Sequence, residues 1–165
     1  MKHIKHLLFL SILCLLVLFI NCGDEIDDSS ESLIYLDENG ITIKAYENAL
    51  VGESYALNGI NYLVIDASML YQMVDENEDV SKVVTTKITR MLYLFSDSID
   101  HSFNQDIGSW DVGNVTDMSV IFFGASSFNQ DISAWEVSNV TECSAFRFNT
   151  TSWTEPKPNF TNCTE

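Results

Sequence analysis

Residues 102–119 read SFNQDIGSWDVGNVTDMS, and residues 127–144 read SFNQDISAWEVSNVTECS, nearly the same text 25 positions later. Aligned on the tryptophans, Ile107-x-x-Trp110-x-Val112-x-Asn114-Val115 superposes on Ile132-x-x-Trp135-x-Val137-x-Asn139-Val140. Upstream, Val80-x-x-Val83-x-Thr85-x-x-Ile88 falls in the same frame at an offset of 27, with Met91 on Met118 and Phe95 on Phe122. Two extra residues near Asp100 and His101 account for the longer spacing. Downstream, Phe128 maps to Trp153 and Trp135 to Phe160, but the copy has decayed into WTEPKPNFTNC, where Pro156 and Pro158 bar a normal helix or strand. One such unit is too small to bury its apolar face, whereas stacked neighbours bury it together. Equal units stack equal side chains, so Trp110 is expected against Trp135, and Ile107 against Ile132.

Ahead of the repeats, residues 33–79 carry hairpin and helix signals. LIYLDENGITIKA (33–45) places a DENG turn between apolar runs, and YALNGINYLVI (55–65) does so with Asn58-Gly59, a strong short hairpin cue. Asp66 is placed to cap a short helix through ASMLYQMV, with Met69, Leu70 and Met73 on one side. Two hairpins and a helix alone bury too little surface to stand, so this segment is expected to cap the first repeat.

The N-terminus is not expected to belong to the fold. MKHIKH supplies Lys2 and Lys5, and LLFLSILCLLVLFI (7–20) is an apolar run shorter than the roughly 20 residues of a membrane-spanning helix. Positive residues followed by such a run are the pattern of a secretory signal. The run ends in LFINCGDE, which resembles the lipobox of bacterial lipoproteins. That resemblance implies cleavage after residue 21 and lipid on Cys22, with residues 22–32 an acidic tether. Asp24 and Glu25 resemble the surface-export signal of Bacteroidota-type lipoproteins. With Cys14 removed and Cys22 lipidated, Cys143 and Cys163 remain, and export permits them to pair. The chain has 8 Lys and Arg against 24 Asp and Glu, a net charge of −16, and loses two of those lysines with the signal. A surface of that sign repels nucleic acid.

The apolar spacing followed by Asn resembles the leucine-rich repeat, in which a unit forms a brief strand, an Asn-held turn and a return segment. FNQDIGSWDVGNVTDMSVIFFGASS resembles, more narrowly, the 26-residue repeat of the BspA-like leucine-rich-repeat group of bacterial surface lipoproteins. IYLDENGITIKA, VVTTKIT and KPNFTNC are also similar to flavobacterial members. The fold class expected is therefore α/β: a short right-handed solenoid of about three coils, a strand and a helix in each. Thr116-Asp117-Met118 and Thr141-Glu142-Cys143 would start the return helices, with Thr as N-cap. The expected organisation is a signal peptide (1–21), a lipidated tether (22–32), a hairpin and helix cap (33–79), repeats (80–152) and a C-terminal cap (153–165) pinned by Cys143–Cys163. The resemblance implies a non-enzymatic, surface-exposed protein that adheres to a protein or glycan partner, anchored in the outer membrane through Cys22. The alternatives are an envelope component without a discrete ligand, and an accessory of a surface hydrolase or uptake system.

The residues give no enzyme signature. His101, the one histidine beyond the signal, lies in the two-residue insertion and reads as a solvated loop residue. No Gly-rich phosphate loop, G-x-S-x-G or paired CxxC occurs. Acids recur in register: Asp106 with Asp131, Asp111 with Glu136, Asp117 with Glu142. Asp106 and Asp131 are the candidates for Ca²⁺, which prefers oxygen ligands. The competing reading is turn hydrogen bonds to nearby backbone N–H groups, so no metal or other cofactor is expected. Asn114-Val-Thr and Asn139-Val-Thr read as turn asparagines, and Asp97-Ser98-Ile99 resembles a Bacteroidota O-glycosylation motif. Strand side chains alternate, so Ser109, Asp111 and Gly113 are expected to point opposite to Trp110 and Val112, and Ala134, Glu136 and Ser138 repeat them. Ser109, Asp111, Glu136 and Ser138 are thus the candidate binding ledge, on a protein expected to be monomeric.

Overall fold

The computed structural model describes residues 32–96 and 102–165. The signal peptide, Cys22, the Asp24-Glu25 motif, Asp97-Ser98-Ile99 and His101 lie outside the described residues.

Both hairpins form where the turn chemistry places them. Strands β1 (Ile34–Leu36) and β2 (Ile43–Ala45) pair antiparallel, Ile34 opposite Ala45. Their turn is held by the Asn39 side-chain oxygen, which accepts from the N–H groups of Ile41 and Thr42, both at 2.9 Å. Strands β3 (Ser54–Leu57) and β4 (Ile60–Val64) pair around Asn58 and Gly59, whose φ values of 51° and 80° make the two-residue turn that matches strand twist. Helix α1 (Ala67–Asp75) starts at Asp66, whose carboxylate accepts from the Met69 N–H at 2.9 Å. Its fully buried residues are Leu70 and Val74, with Met69 and Met73 packed at the margin. The helix carries the chain across to β5 (Val83–Val84), which pairs parallel with β4. Parallel pairing needs such a crossover.

The α/β solenoid expected from the repeats is not what forms. The described residues hold one nine-residue helix and five strands of two to five residues, in a two-stranded and a three-stranded sheet. No strand runs through Ile107–Val115 or Ile132–Val140, and no helix starts at Thr116 or Thr141. The repeats are built of turns. Trp110 N–H donates to Ile107 C=O, Val115 to Val112, Trp135 to Ile132 and Val140 to Val137. After Met118 the turns overlap: Ile121 donates to Met118, Phe123 to Val120 and Ala125 to Phe122. The N–H groups between them leave the repeat altogether. Met118, Val120, Phe122 and Gly124 donate to the carbonyls of Glu142, Ser144, Phe146 and Phe148, at 2.8–3.0 Å. Met91, Tyr93 and Phe95 donate likewise to Asp117, Ser119 and Ile121. A helix would need those groups for its own i−4 carbonyls. Tyr93, Val120 and Ala145 all stand at positive φ (60°, 61° and 52°), which a helix forbids. Val120-Ile-Phe-Phe-Gly124 is also a stretch of weak helix formers.

Side chains tie the repeats together at fixed positions. Each indole N–H donates to a carbonyl of the preceding repeat: Trp110 to Val80 (3.0 Å) and Trp135 to Ile107 (3.0 Å) at one repeat position, and Trp153, at the position of Phe128, to Gln130 (3.1 Å). Asparagine amides do the same, Asn114 to Thr86 C=O (2.8 Å), Asn139 to Gly113 C=O (2.7 Å) and Asn162 to Ser138 C=O. The expected tryptophan stack is present, with Trp110 and Trp135 centroids 6.2 Å apart and planes within 5°. Phe95, Phe122, Phe128 and Phe146 complete one buried core shared with Ile65, Leu70 and Val74 from the N-terminal segment. Gly108 is a close approach: a Cβ there would lie 2.9 Å from the Asp131 carbonyl oxygen. The expected Cys143–Cys163 disulfide is also present, with an S–S distance of 2.04 Å.

Candidate binding surface

The four residues of the expected ledge do not lie on one open face. Glu136 and Ser138 are exposed, Ser109 is half-buried, and Asp111 is 4 % exposed. The reason is the first hairpin, which lies over the repeats. Ile43 N–H of β2 donates to Ser109 C=O at 2.9 Å, and Ala45 N–H donates to Thr86 Oγ1 at 3.0 Å. Thr86 Oγ1 in turn donates to Asp111 Oδ2 at 2.7 Å, while Asp111 Oδ1 accepts from Gly113 N–H at 3.1 Å. Thr85 Oγ1 donates to the Asp111 carbonyl at 2.8 Å. Asp111 thus joins three parts of the chain and presents no carboxylate to a partner. Its alternation away from Trp110 depended on a strand that is not there.

Four of the remaining five recurrent acids close turns, and Glu142 is the exception. Oδ1 of Asp106 accepts from Gly108 N–H (3.0 Å), and Oδ1 of Asp131 from Ser133 N–H and Oγ (2.9 and 2.7 Å). Asp79 does the same with Ser81, Asp117 with the Ser119 N–H, and Glu136 with the Ser138 N–H. The spacing is acid-x-Ser or acid-x-Gly throughout, the Asx-turn arrangement in which a carboxylate stands in for a backbone acceptor. These bonds have an electrostatic signature. The Ser133 N–H and hydroxyl hold the Asp131 carboxyl below its usual range, and the Ser138 hydroxyl and N–H do so for Glu136. For Asp117, burial works upward, but Ser119 and the Arg90 guanidinium at 3.1 Å outweigh it, and the net shift is downward. Asp106 and Asp131 therefore serve as turn acceptors. Among the described residues no three His, Cys, Asp or Glu side chains are grouped to hold a metal ion.

Asp111→Ala is expected to lower stability by about 1–3 kcal/mol, the cost of leaving buried donors unpaired. Glu136→Ala, with one exposed turn bond, should fall within about 1 kcal/mol of wild type. Urea unfolding of both variants checks the contrast, and equal losses would place both carboxylates at the surface. Because the folded-state pKa of Asp131 is depressed, its contribution is present above the pKa of the unfolded chain and is lost as pH falls through the folded value. The stability gap between wild type and Asp131→Ala should thus narrow between about pH 5 and pH 3. Comparing the two chains cancels nearly all of the charge repulsion that acid relieves in both. A gap that widens with acid would contradict the assignment.

Sequence reasoning missed two features of the surface. The first is Thr86, which only the docked hairpin makes a partner of Asp111. The second is the aromatic pair of half-buried Phe123 and exposed Phe148, with ring centroids 5.4 Å apart and stacked within 16°. Their shared repeat position is readable in the sequence, but their exposure is not.

Residues 66–163 match a family model described as Mycoplasma protein of unknown function, DUF285, which covers more than half of the chain. That family is related to surface repeat proteins. No curated protein and no solved structure matches the chain.

Proposed function

Since the chain belongs to the DUF285 family, we propose that it is a non-enzymatic binding module displayed outside the cytoplasm on a lipid anchor at Cys22, of the BspA-like surface-repeat kind. The observation that carries the reading is the Cys143–Cys163 disulfide, which ties the C-terminal segment to the last repeat. Structural disulfides persist in oxidising compartments and are rare in the cytosol. The signal-like N-terminus, the cysteine at its foot and the acidic tether support the same location. A binding role is favoured over catalysis because Asp106, Asp111, Asp117, Asp131 and Glu136 are all held in turn hydrogen bonds. The partner is a protein or glycan met at the cell surface, and the ledge once expected at Asp111 is no part of the proposal.

Protease shaving of intact cells, with the protein followed by antibody, tests this reading. Rapid loss is the expected result. Protection until the cells are lysed would overturn surface display and would favour an envelope component facing inward.

A further inference from the structure

The rows of turns have a direction. Past the Thr corner, where Thr116 and Thr141 N–H reach back to Thr89 and Thr116 C=O, alternate N–H groups of one repeat point to carbonyls of the next, from Met91, Tyr93 and Phe95 and then from Met118, Val120, Phe122 and Gly124. The matching positions of the last repeat are Cys143, Ala145, Arg147 and Asn149. Cys143 is bonded to Cys163, while the N–H groups of Ala145, Arg147 and Asn149 have no acceptor among the described residues. Ala145 (φ 52°) and Asn149 (φ 62°) keep the left-handed backbone of Val120 (61°) and Gly124 (72°), so the row is already in its donating conformation. It borders a hollow of about 210 Å³ lined by Ala145, Phe146, Arg147, Phe148 and Glu165. Arg147, in the sequence position of Phe122, is exposed and donates from Nε to Glu165 Oε2 at 2.5 Å. Phe148 beside it is 62 % exposed. On a chain of net charge −16 this edge offers three backbone donors beside a guanidinium that already holds a carboxylate, that of Glu165.

We infer that this edge docks an acidic peptide segment of a partner protein. The segment lies along the last repeat, its alternate carbonyls accepting from Ala145, Arg147 and Asn149, and one of its carboxylates replaces Glu165 on Arg147. Donors on alternate residues match alternate carbonyls of one chain, as they do between the protein's own repeats, and open edges of this kind are used for strand-like peptide capture. A second copy does not fit. Its N-terminal edge is covered by α1, whose Tyr71 hydroxyl donates to Leu92 C=O at 2.5 Å, and two C-terminal edges would set donors against donors. The inference deepens the binding role proposed above and rests on it.

The test is a titration of the oxidised, ¹⁵N-labelled protein with a blocked peptide copying residues 115–124. Within the protein, the carbonyls of Asp117, Ser119 and Ile121 in that stretch already accept such a row, and Asp117 supplies the carboxylate. The amide signals of Ala145, Arg147 and Asn149 should shift to saturation and exchange more slowly. Arg147→Ala should weaken binding roughly tenfold, since the charge-assisted bond is lost. Glu165→Gln, which frees Arg147 from an exposed ion pair, should tighten it by roughly threefold. Absence of shifts at millimolar peptide would overturn the inference, as would equal shifts from sodium acetate or phosphate, which would mark a small-anion nest. Shaving distinguishes the two readings: a protein lost on shaving that ignores the peptide sinks the docking edge alone, and a protected one sinks surface display.

Discussion

Trp110→Ala is expected to lower stability by about 3–5 kcal/mol. Trp110 is fully buried between Phe95, at a centroid distance of 6.0 Å, and Trp135, at 6.2 Å. Removing the ring opens a cavity that the turn-built backbone on either side is not free to close, because alternate N–H groups fix one repeat on the next. It also strands the Val80 carbonyl, which accepts the indole N–H at 3.0 Å. Trp110→Phe separates the two terms by keeping an aromatic ring and losing the hydrogen bond, and it should cost about 1–3 kcal/mol. Chemical denaturation followed by circular dichroism measures both. A loss below about 1 kcal/mol for the alanine variant would mean that the tryptophan stack does not hold the repeats together.

Opening the disulfide should be the second largest effect. Cys143 and Cys163 are 20 residues apart, and releasing a loop of that size costs about 3 kcal/mol through the unfolded chain's regained entropy. The damage should be local first. Trp153 packs edge-on against Phe122 and Phe128, and Phe160 against Phe146, so the C-terminal segment will lose these contacts before the earlier repeats loosen. A Cys143→Ser, Cys163→Ser protein should unfold at lower denaturant and be clipped beyond residue 150 by dilute protease. Reduction of the wild-type protein should reproduce both effects. Equal midpoints for the oxidised and reduced proteins would show that the segment is held by packing alone.

Much of the N-terminal half was legible because its signals are local. Asn58-Gly59 fixes its own turn, Asp66 caps its own helix, and the alternation at Ile41, Ile43 and Ala45 survives as β2 from Ile43 onward. The repeat period also predicted which side chains stack, since equal spacing brings Trp110 to Trp135 whatever the backbone does between them. The conformation within each repeat was not legible. Tyr93, Val120 and Ala145 are residue types that avoid positive φ, and Val120, β-branched, avoids it most. They adopt it because the hydrogen bonds to neighbouring repeats over-determine the backbone, and that cause lies about 25 residues away in sequence.

The burial of Asp111 was hidden for a related reason. Asp111 and Glu136 occupy the same repeat position, and nothing adjacent to either distinguishes them. One is buried because β2 docks on Ser109 and Thr86, more than 40 residues away from Ala45 in the case of Thr86 in loop terms, and the other is left open to solvent. The Cys143–Cys163 pair was easier to foresee, because counting thiols needs no geometry.

Alternate backbone N–H groups join the repeats, and the last row is left open. Native-state amide hydrogen exchange reads this residue by residue. Met118, Val120 and Phe122 should exchange slowly, at rates set by opening of the whole core, whereas Ala145, Arg147 and Asn149 should exchange rapidly in the free protein. Uniform protection through residues 143–150 would mean a helix or a further partner strand there, and would contradict the ladder of turns.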